Sequence, residues 1–215
     1  MSVHIAKQED NIMKKIIVVA HSKGGVGKSL VAWHLAGSYI EKDIDVTILD
    51  LDFQQTLYFV NKIRMGDNTL KQIEVKQEME ADKIIELLEN NQGVLIVDVG
   101  GFDIDINRIA IAYADVVIVP IANSTTEVIG FRTFEDILEE IGATNIKVLL
   151  NKVHHATKDF SVIEEAIGSN HNIEILTNRV TQKKLYDNCM SFGKTIFDTK
   201  GISAKDVFRG IRDEL

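Results

Sequence analysis

The 215-residue chain is 45% apolar and 26% charged with a formal net charge of −8, which fits one soluble domain with a real core and excludes a protein that is basic all over. Its one cysteine, Cys189, excludes an internal disulfide, a four-cysteine zinc site and a self-contained iron–sulfur cluster, and fits a reducing compartment. No run approaches the roughly 18 apolar residues of a membrane span, so the expected location is the cytoplasm.

Residues 1–13, "MSVHIAKQEDNIM", are polar and lack the apolar stretch of a signal peptide. They read as a loose extension ahead of a domain at 14–215, with Met13 as an alternative start. Apolar runs rich in Val and Ile then recur: "KIIVVA" (15–20), "VTILD" (46–50), "VLIVDV" (94–99), "VVIVPI" (116–121) and "IKVLLN" (146–151). "QIEVK" (72–76) and "IEIL" (173–176) are weaker strand candidates. Continuous apolar character, without alternation, marks strands covered on both faces.

Helical patterns lie between the strands. "SLVAWHLAGSYIEK" turns Leu30, Trp33, Leu35 and Ala36 toward one side. "ADKIIELLENN" repeats apolar residues at helix spacing and is expected to end at Gly93. "TTEVIGFRTFEDILEEIG" opens on threonines suited to capping and stops at Gly142. Strand–helix alternation predicts βαβ units, hence a single α/β domain whose twisted, mostly parallel sheet carries helices on both faces. There is no internal repeat, low-complexity tract or linker.

The stretch "SKGGVGKS" (22–29) follows a buried strand and opens a helix, the context that makes a glycine-rich loop a phosphate site. Gly24, Gly25 and Gly27 let the backbone approach an anion, and the freed N–H groups and the helix N-terminus face it. Lys28 is placed to bridge the outer phosphates, and the Ser29 hydroxyl to hold Mg²⁺. Two further strand ends carry carboxylates: Asp50 and Asp52 in "ILDLD", and Asp98 in "LIVDVGG". Ligands of open α/β sheets sit beyond the carboxyl ends of the strands, where carboxylates can hold Mg²⁺ or its waters and orient an attacking water.

These motifs resemble the deviant phosphate loop of the ParA/MinD superfamily, "KGGVGKS", with Lys23 as its signature lysine. The resemblance continues through "VTILDLDFQQT", "LIVDVGGFD", "YADVVIVPI", "LLNKV" and the tail "LYDNCMSFGKTIFDTKGISAKDVFRGI", and spans essentially Lys14 to Leu215. It is nearest to the small plasmid-partition ATPases. The resemblance implies a P-loop ATPase that uses ATP and Mg²⁺, with the nucleotide sandwiched between two copies of the chain. Lys23 would reach the phosphates of the partner's nucleotide, Asp52 would position the attacking water, and Asp50 and Asp98 would serve Mg²⁺. Gly24, Gly25, Val26, Gly27, Lys28, Ser29 and Leu30 would cradle the nucleotide. Phe53 departs from the usual proline, Leu30 from a common threonine, and "DVGG" (98–101) from Asp-Thr-Pro-Pro or Asp-Thr-Pro-Gly. These departures bear on the efficiency of hydrolysis.

Asn151 ends a strand at the same sheet edge and is a candidate for the adenine, with a capping role as the alternative. Trp33 and Cys189 lie in helical patterns and read as core, and His154 and His155 as loop residues. From His171 to Leu215 there are eight basic and six acidic side chains, so this end is less acidic than the rest. Lys183, Lys184, Lys194, Lys200, Lys205, Arg209 and Arg212 are therefore candidates for DNA phosphates. The implied function is plasmid or chromosome partition: an ATP-bound homodimer on non-specific nucleoid DNA, released when a ParB-like centromere-binding partner triggers hydrolysis. Positioning of a division, conjugation or chemotaxis complex is the alternative, followed by a metabolic enzyme on the same scaffold. The C-terminal "AKDVFRGIRDEL" is short and mixed in charge, which disfavours a membrane anchor.

Overall fold

Seven parallel strands form the sheet: β1 (Lys15–Val19), β2 (Val46–Leu51), β3 (Glu74–Gln77), β4 (Val94–Val99), β5 (Val116–Ile121), β6 (Ile146–Leu150) and β7 (Ile173–Ile175). They lie in the order β3-β2-β4-β1-β5-β6-β7 in a computed structural model that describes residues 14–101, 104–168, 170–200 and 202–215. The extension read at 1–13, and Phe102 and Asp103 of "LIVDVGGFD", lie outside the described residues. All seven strand readings correspond to observed strands.

The inner strands are mostly apolar because both faces are covered, with Thr47, Asp50, Asp98 and Lys147 as their interior polar positions. Along β1, Ile16 and Val18 enter one core while Ile17 and Val19 enter the other. The edge strands β3 and β7 keep exposed positions, which is why their sequences carry a fainter signal. Pro120 is tolerated inside β5 because pairing with β1 ends at Ile118, where β1 has turned away into the next loop.

One face is covered by α3 (Ala81–Glu89), α4 (Asp105–Ala112), α5 (Thr125–Ile141) and α6 (Ser161–Ile167), which bury Ile84, Leu88, Ile111, Phe131, Phe134 and Ile163. The other is covered by α1 (Lys28–Ile40), α2 (Thr56–Met65), α7 (Lys184–Ser191), a 3-10 turn (Ile196–Asp198) and α8 (Ile202–Asp213). Trp33 and Cys189 lie in this second core, as read from sequence.

Three helix readings need correction. The first helix is buried all round from Val31 to Tyr39, not on one side, because α2, α7, α8 and the 3-10 turn enclose it against the sheet. Its sequence has no polar stripe between Lys28 and Glu41 for water to claim. Helix α3 stops at Glu89 with Asn90 at its C-cap, while Gly93 instead leads into β4 and accepts the Lys15 N–H at 3.0 Å. Helix α5 is capped by Ser124, whose side chain accepts from the Glu127 N–H, and not by the threonines; Gly142 ends it in the left-handed region at φ 79° as expected. No helix among the described residues is long and apolar enough to cross a membrane.

Strand β1 sits between β4 and β5, and the chain leaves it toward β2 on one side and returns to β5 on the other. In open α/β sheets such a reversal of direction marks where ligands bind, beyond the carboxyl ends of the strands, and here the carboxyl ends of β1, β2 and β4 lie side by side.

Candidate phosphate-binding site

The loop from Ser22 to Gly27 leaves β1 and enters α1 with Gly27 as N-cap and no side chain capping the helix start. Gly25 and Gly27 adopt positive φ, 79° and 96°, so the loop can turn its backbone inward. Lys28, the first residue of α1, is buried and folds back to donate from Nζ to the Lys23 carbonyl at 3.1 Å. Burial lowers the Lys28 pKa, while the nearby Asp98 and Asp52 carboxylates act to raise it. A buried ammonium thus spans a ring of backbone, beside a helix start with no side-chain cap, at the end of β1 where the chain reverses direction across the sheet.

The loop is supported from beneath. Asn151, just past β6, donates from Nδ2 to the Val26 carbonyl at 2.7 Å, and Lys152 donates from Nζ to the Gly25 carbonyl at 2.6 Å. A Cβ on Gly27 would stand 2.3 Å from Asn151 Nδ2, so that glycine is required by close approach as well as by its φ. In this structure Asn151 holds the loop backbone. Gly101 of "DVGG" presses on the loop from the other side: a Cβ there would stand 3.2 Å from the Gly24 nitrogen.

The three aspartates occupy distinct environments. Asp50 is fully buried and accepts from the N–H groups of Asp52 at 3.2 Å and Tyr58 at 3.0 Å, tying the end of β2 to the first turn of α2. Burial raises its pKa against those bonds. Asp52 is partly exposed; its Oδ1 accepts the Gln54 N–H at 2.9 Å and its carbonyl accepts the Gln55 N–H at 2.8 Å. This tight turn stands where the resembled family carries proline, and it leaves Phe53 exposed. Leu30 packs against the second core.

Asp98 is the anomaly. It is fully buried, and neither carboxylate oxygen closes a hydrogen bond of normal geometry. Burial pushes its pKa up to about 8, although the Ser29 hydroxyl and Lys28 ammonium nearby oppose the rise and Asp50 adds to it. A buried carboxylate without partners is expensive unless a cation or donor arrives. Ser29 and Asp98 are therefore the residues that could hold a Mg²⁺ ion or its waters here. No group of three or more His, Cys, Asp and Glu among the described residues makes a metal site by itself.

Two residues at the loop's front edge were not read from the sequence. His21, buried and stacked on Phe134 with ring centroids 5.4 Å apart, accepts the Lys23 N–H at Nδ1 over 3.0 Å. Burial, followed by the Lys28 charge, lowers its pKa to about 4, so the ring stays a neutral acceptor at pH 7. Glu127, in the first turn of α5, forms an ion pair with Lys23 Nζ. The only sequence signal for Glu127 is Ser-x-x-Glu at 124–127, which also describes a helix cap.

The C-terminal basic residues separate into two groups. Lys183, Lys184 and Lys200 are exposed, and Lys194 and Lys205 partly so. Arg212 is buried, donating from Nη1 to the Ser38 carbonyl at 2.6 Å and pairing with Asp213; this corrects its reading as a DNA contact. Arg209 is paired with both Glu41 and Asp206, so its charge is already matched within the chain.

A model of the CobQ/CobB/MinD/ParA nucleotide binding domain matches residues 17–196. "Protein ParA" of Rhizobium radiobacter is 28% identical over 198 residues, covering 86% of this chain and 86% of that one. Among solved structures, the MinD cell division protein of Aquifex aeolicus superposes with a TM-score of 0.71 at 16% identity, covering 93% of this chain and 96% of that one. A plasmid partition protein of Borrelia burgdorferi, solved with AMPPNP, superposes with a TM-score of 0.69 at 14% identity, covering 94% of this chain and all of that one.

Proposed function

The chain belongs to the CobQ/CobB/MinD/ParA nucleotide-binding domain family, and from that premise we propose that it is a ParA-type ATPase that moves plasmid or chromosomal DNA. The observation that carries the nucleotide site is Asp98: a fully buried carboxylate with no hydrogen bond of normal geometry, beside the Ser29 hydroxyl and the Lys28 ammonium at the start of a helix with no side-chain cap. Such an arrangement is incomplete until an anion and a cation enter together.

In this reading the loop amides and Lys28 bind the ATP phosphates, and Lys28 releases the Lys23 carbonyl to do so. Bound Mg²⁺ would neutralise charge on the outer phosphates; Ser29 and Asp98 hold it, with Asp50 fixing the strand end beside them. Asp52, the exposed member of the set, orients the attacking water and receives its proton. Lys23 leaves its own loop and reaches the phosphates of a second copy, as an arginine finger does in trans. Dimerisation then depends on ATP because the triphosphate forms part of the interface. The relative named ParA, at 28% identity, supports the partition assignment. Lys183, Lys184, Lys194, Lys200 and Lys205 supply the DNA-facing charge, and a ParB-like partner stimulates hydrolysis.

The test is sedimentation of the full chain with ATP, ADP or no nucleotide, with and without duplex DNA of arbitrary sequence. The ATP form should dimerise and bind DNA in a salt-dependent manner. Lys23→Ala should retain nucleotide binding and lose the dimer. Absence of DNA binding in the ATP state would remove the partition assignment, and a Lys23→Ala protein that still dimerises would remove the trans role.

A further inference from the structure

Lys23 is not poised for a second copy in this structure. All three of its handles are held within its own chain: its N–H by His21, its carbonyl by Lys28, and its ammonium by Glu127. Glu127 is the more buried partner, its side chain 13% exposed against 39% for Lys23.

The position of Glu127 makes this pairing informative. Ser124 and Glu127 have the spacing of a reciprocal helix cap, in which the serine accepts from the Glu N–H and the glutamate returns to the serine N–H. Only the first half forms, with Glu127 N–H to Ser124 Oγ at 3.4 Å. The Ser124 N–H donates instead to the Ala122 carbonyl. The Glu127 side chain turns away from its own cap to take Lys23, and its second oxygen, Oε2, is buried with no partner. The Lys23 stem and His21 lie along α5 beside Gly130, where a Cβ would be in ordinary van der Waals contact with them at 3.8 and 3.6 Å.

We infer that Glu127 is a latch that parks Lys23 in cis and so opposes dimerisation until nucleotide phosphates compete for the lysine. The inference rests on the trans role of Lys23 proposed above. Releasing Lys23 leaves a nearly buried carboxylate uncompensated, and that penalty falls on the dimer, not on the monomer. Glu127 can recover part of it by returning to the Ser124 N–H and closing the cap. The latch sets a threshold: a second copy that offers ATP phosphates exceeds it, and one that offers ADP, with fewer charges at the interface, does not.

Two measurements on the full chain decide this. The first uses monomer without nucleotide and reads the acylation rate of Lys23 by mass spectrometry. Glu127→Gln should raise that rate about two- to fivefold, the range of a partly exposed pair; an unchanged rate overturns the latch whatever Lys23 does in the dimer. The second reads dimer formation with a non-hydrolysable ATP analogue. Because two lysines are freed per dimer, Glu127→Gln should strengthen dimerisation about four- to twenty-five-fold. The double variant Lys23→Ala/Glu127→Gln should match Lys23→Ala. Weaker or unchanged dimerisation of Glu127→Gln, with Lys23→Ala monomeric, overturns the latch while keeping the trans role. Dimerisation of Lys23→Ala overturns the trans role, and the acylation rate still decides the cis pairing.

Discussion

Replacing Asp98 by asparagine should make the nucleotide-free protein more stable while removing its response to Mg²⁺ and ATP. The carboxyl is held at about 8 in the fold against an ordinary value of 3.8. With the folded value raised, its contribution to stability is full below the ordinary value and is lost as pH rises toward the folded value. The loss approaches 1.4 kcal/mol for each pH unit between those limits, or about 1 kcal/mol from pH 6.5 to 7.5. Asparagine has the same shape and no charge, so that decline disappears. The neutral histidines His21 and His34 act in the opposite direction over this range, but they are common to both proteins, so the difference between the two slopes is the observable. Urea unfolding at pH 6.5, 7.0 and 7.5 measures it, and the variant should be roughly 2–4 kcal/mol the more stable at pH 7. In the second arm, Mg²⁺ and ATP should raise the unfolding midpoint of the wild type and leave the variant nearly unchanged. Parallel pH profiles, or equal protection by Mg²⁺ and ATP, would refute the view of Asp98 as a carboxylate kept without partners for a ligand.

Two further predictions concern groups outside the site. His34 is fully buried, accepts the Ile196 N–H at Nδ1 over 3.0 Å and faces the Tyr186 carbonyl; burial lowers its pKa to about 4. Its contribution to stability is present above 6.5 and lost as pH falls toward 4, costing roughly 2 kcal/mol between pH 7 and 5, and a His34→Gln variant should show a correspondingly flatter acid profile in thermal melts. Arg64, 1% exposed, clamps α2 to the C-terminal segment through Asp198 and the Gly193 carbonyl. Arg64→Met should lower the unfolding free energy by about 2–4 kcal/mol because Asp198, 16% exposed, loses its cation and keeps only the Thr195 N–H and hydroxyl, and Arg64→Met/Asp198→Asn should recover part of that.

How much was legible follows from where each element is buried. The five inner strands could be read because both faces are covered and their apolar runs are broken only near their starts, by Thr47 in β2 and Lys147 in β6, before the carboxylates that end β2 and β4. Strands β3 and β7 have one open edge each, and their sequences carry Glu74, Lys76 and Glu174. Helix α2 was not legible: it is organised by Asp50 from across a turn, and its outer face exposes Phe59, Ile63 and Met65, so it carries no polar stripe. The phosphate loop was legible because its chemistry is local, with strand, glycines, lysine and helix contiguous in the chain. Glu127 was not, because it meets Lys23 across 104 residues of sequence. Its local signature is that of a helix cap. Arg212 read as a surface cation because one-dimensional charge does not reveal that α8 lies on α1 and delivers the guanidinium to the Ser38 carbonyl.

Gly27 shows how local and distant constraints meet at one position. The sequence pattern accounts for this glycine by the approach of phosphate alone, whereas the structure adds a constraint from Asn151, more than a hundred residues away. A Gly27→Ala protein must hold alanine at φ 96°, costing about 1–2 kcal/mol. Its Cβ would also displace Asn151 from the Val26 carbonyl, leaving a buried acceptor unpaired at about 1–3 kcal/mol more. Asn151→Ala removes the same hydrogen bond and makes room for the methyl group. The two changes should therefore be strongly non-additive: Gly27→Ala/Asn151→Ala should be at least 1 kcal/mol more stable than the sum of the single variants requires. The conformational strain remains in the double variant, so its nucleotide affinity should stay low even as its stability recovers. Urea unfolding and titration with a fluorescent ATP analogue separate the two quantities. Additive stabilities would mean that Asn151 does not hold the loop, and recovered affinity would mean that the left-handed conformation at Gly27 is not what the phosphates need.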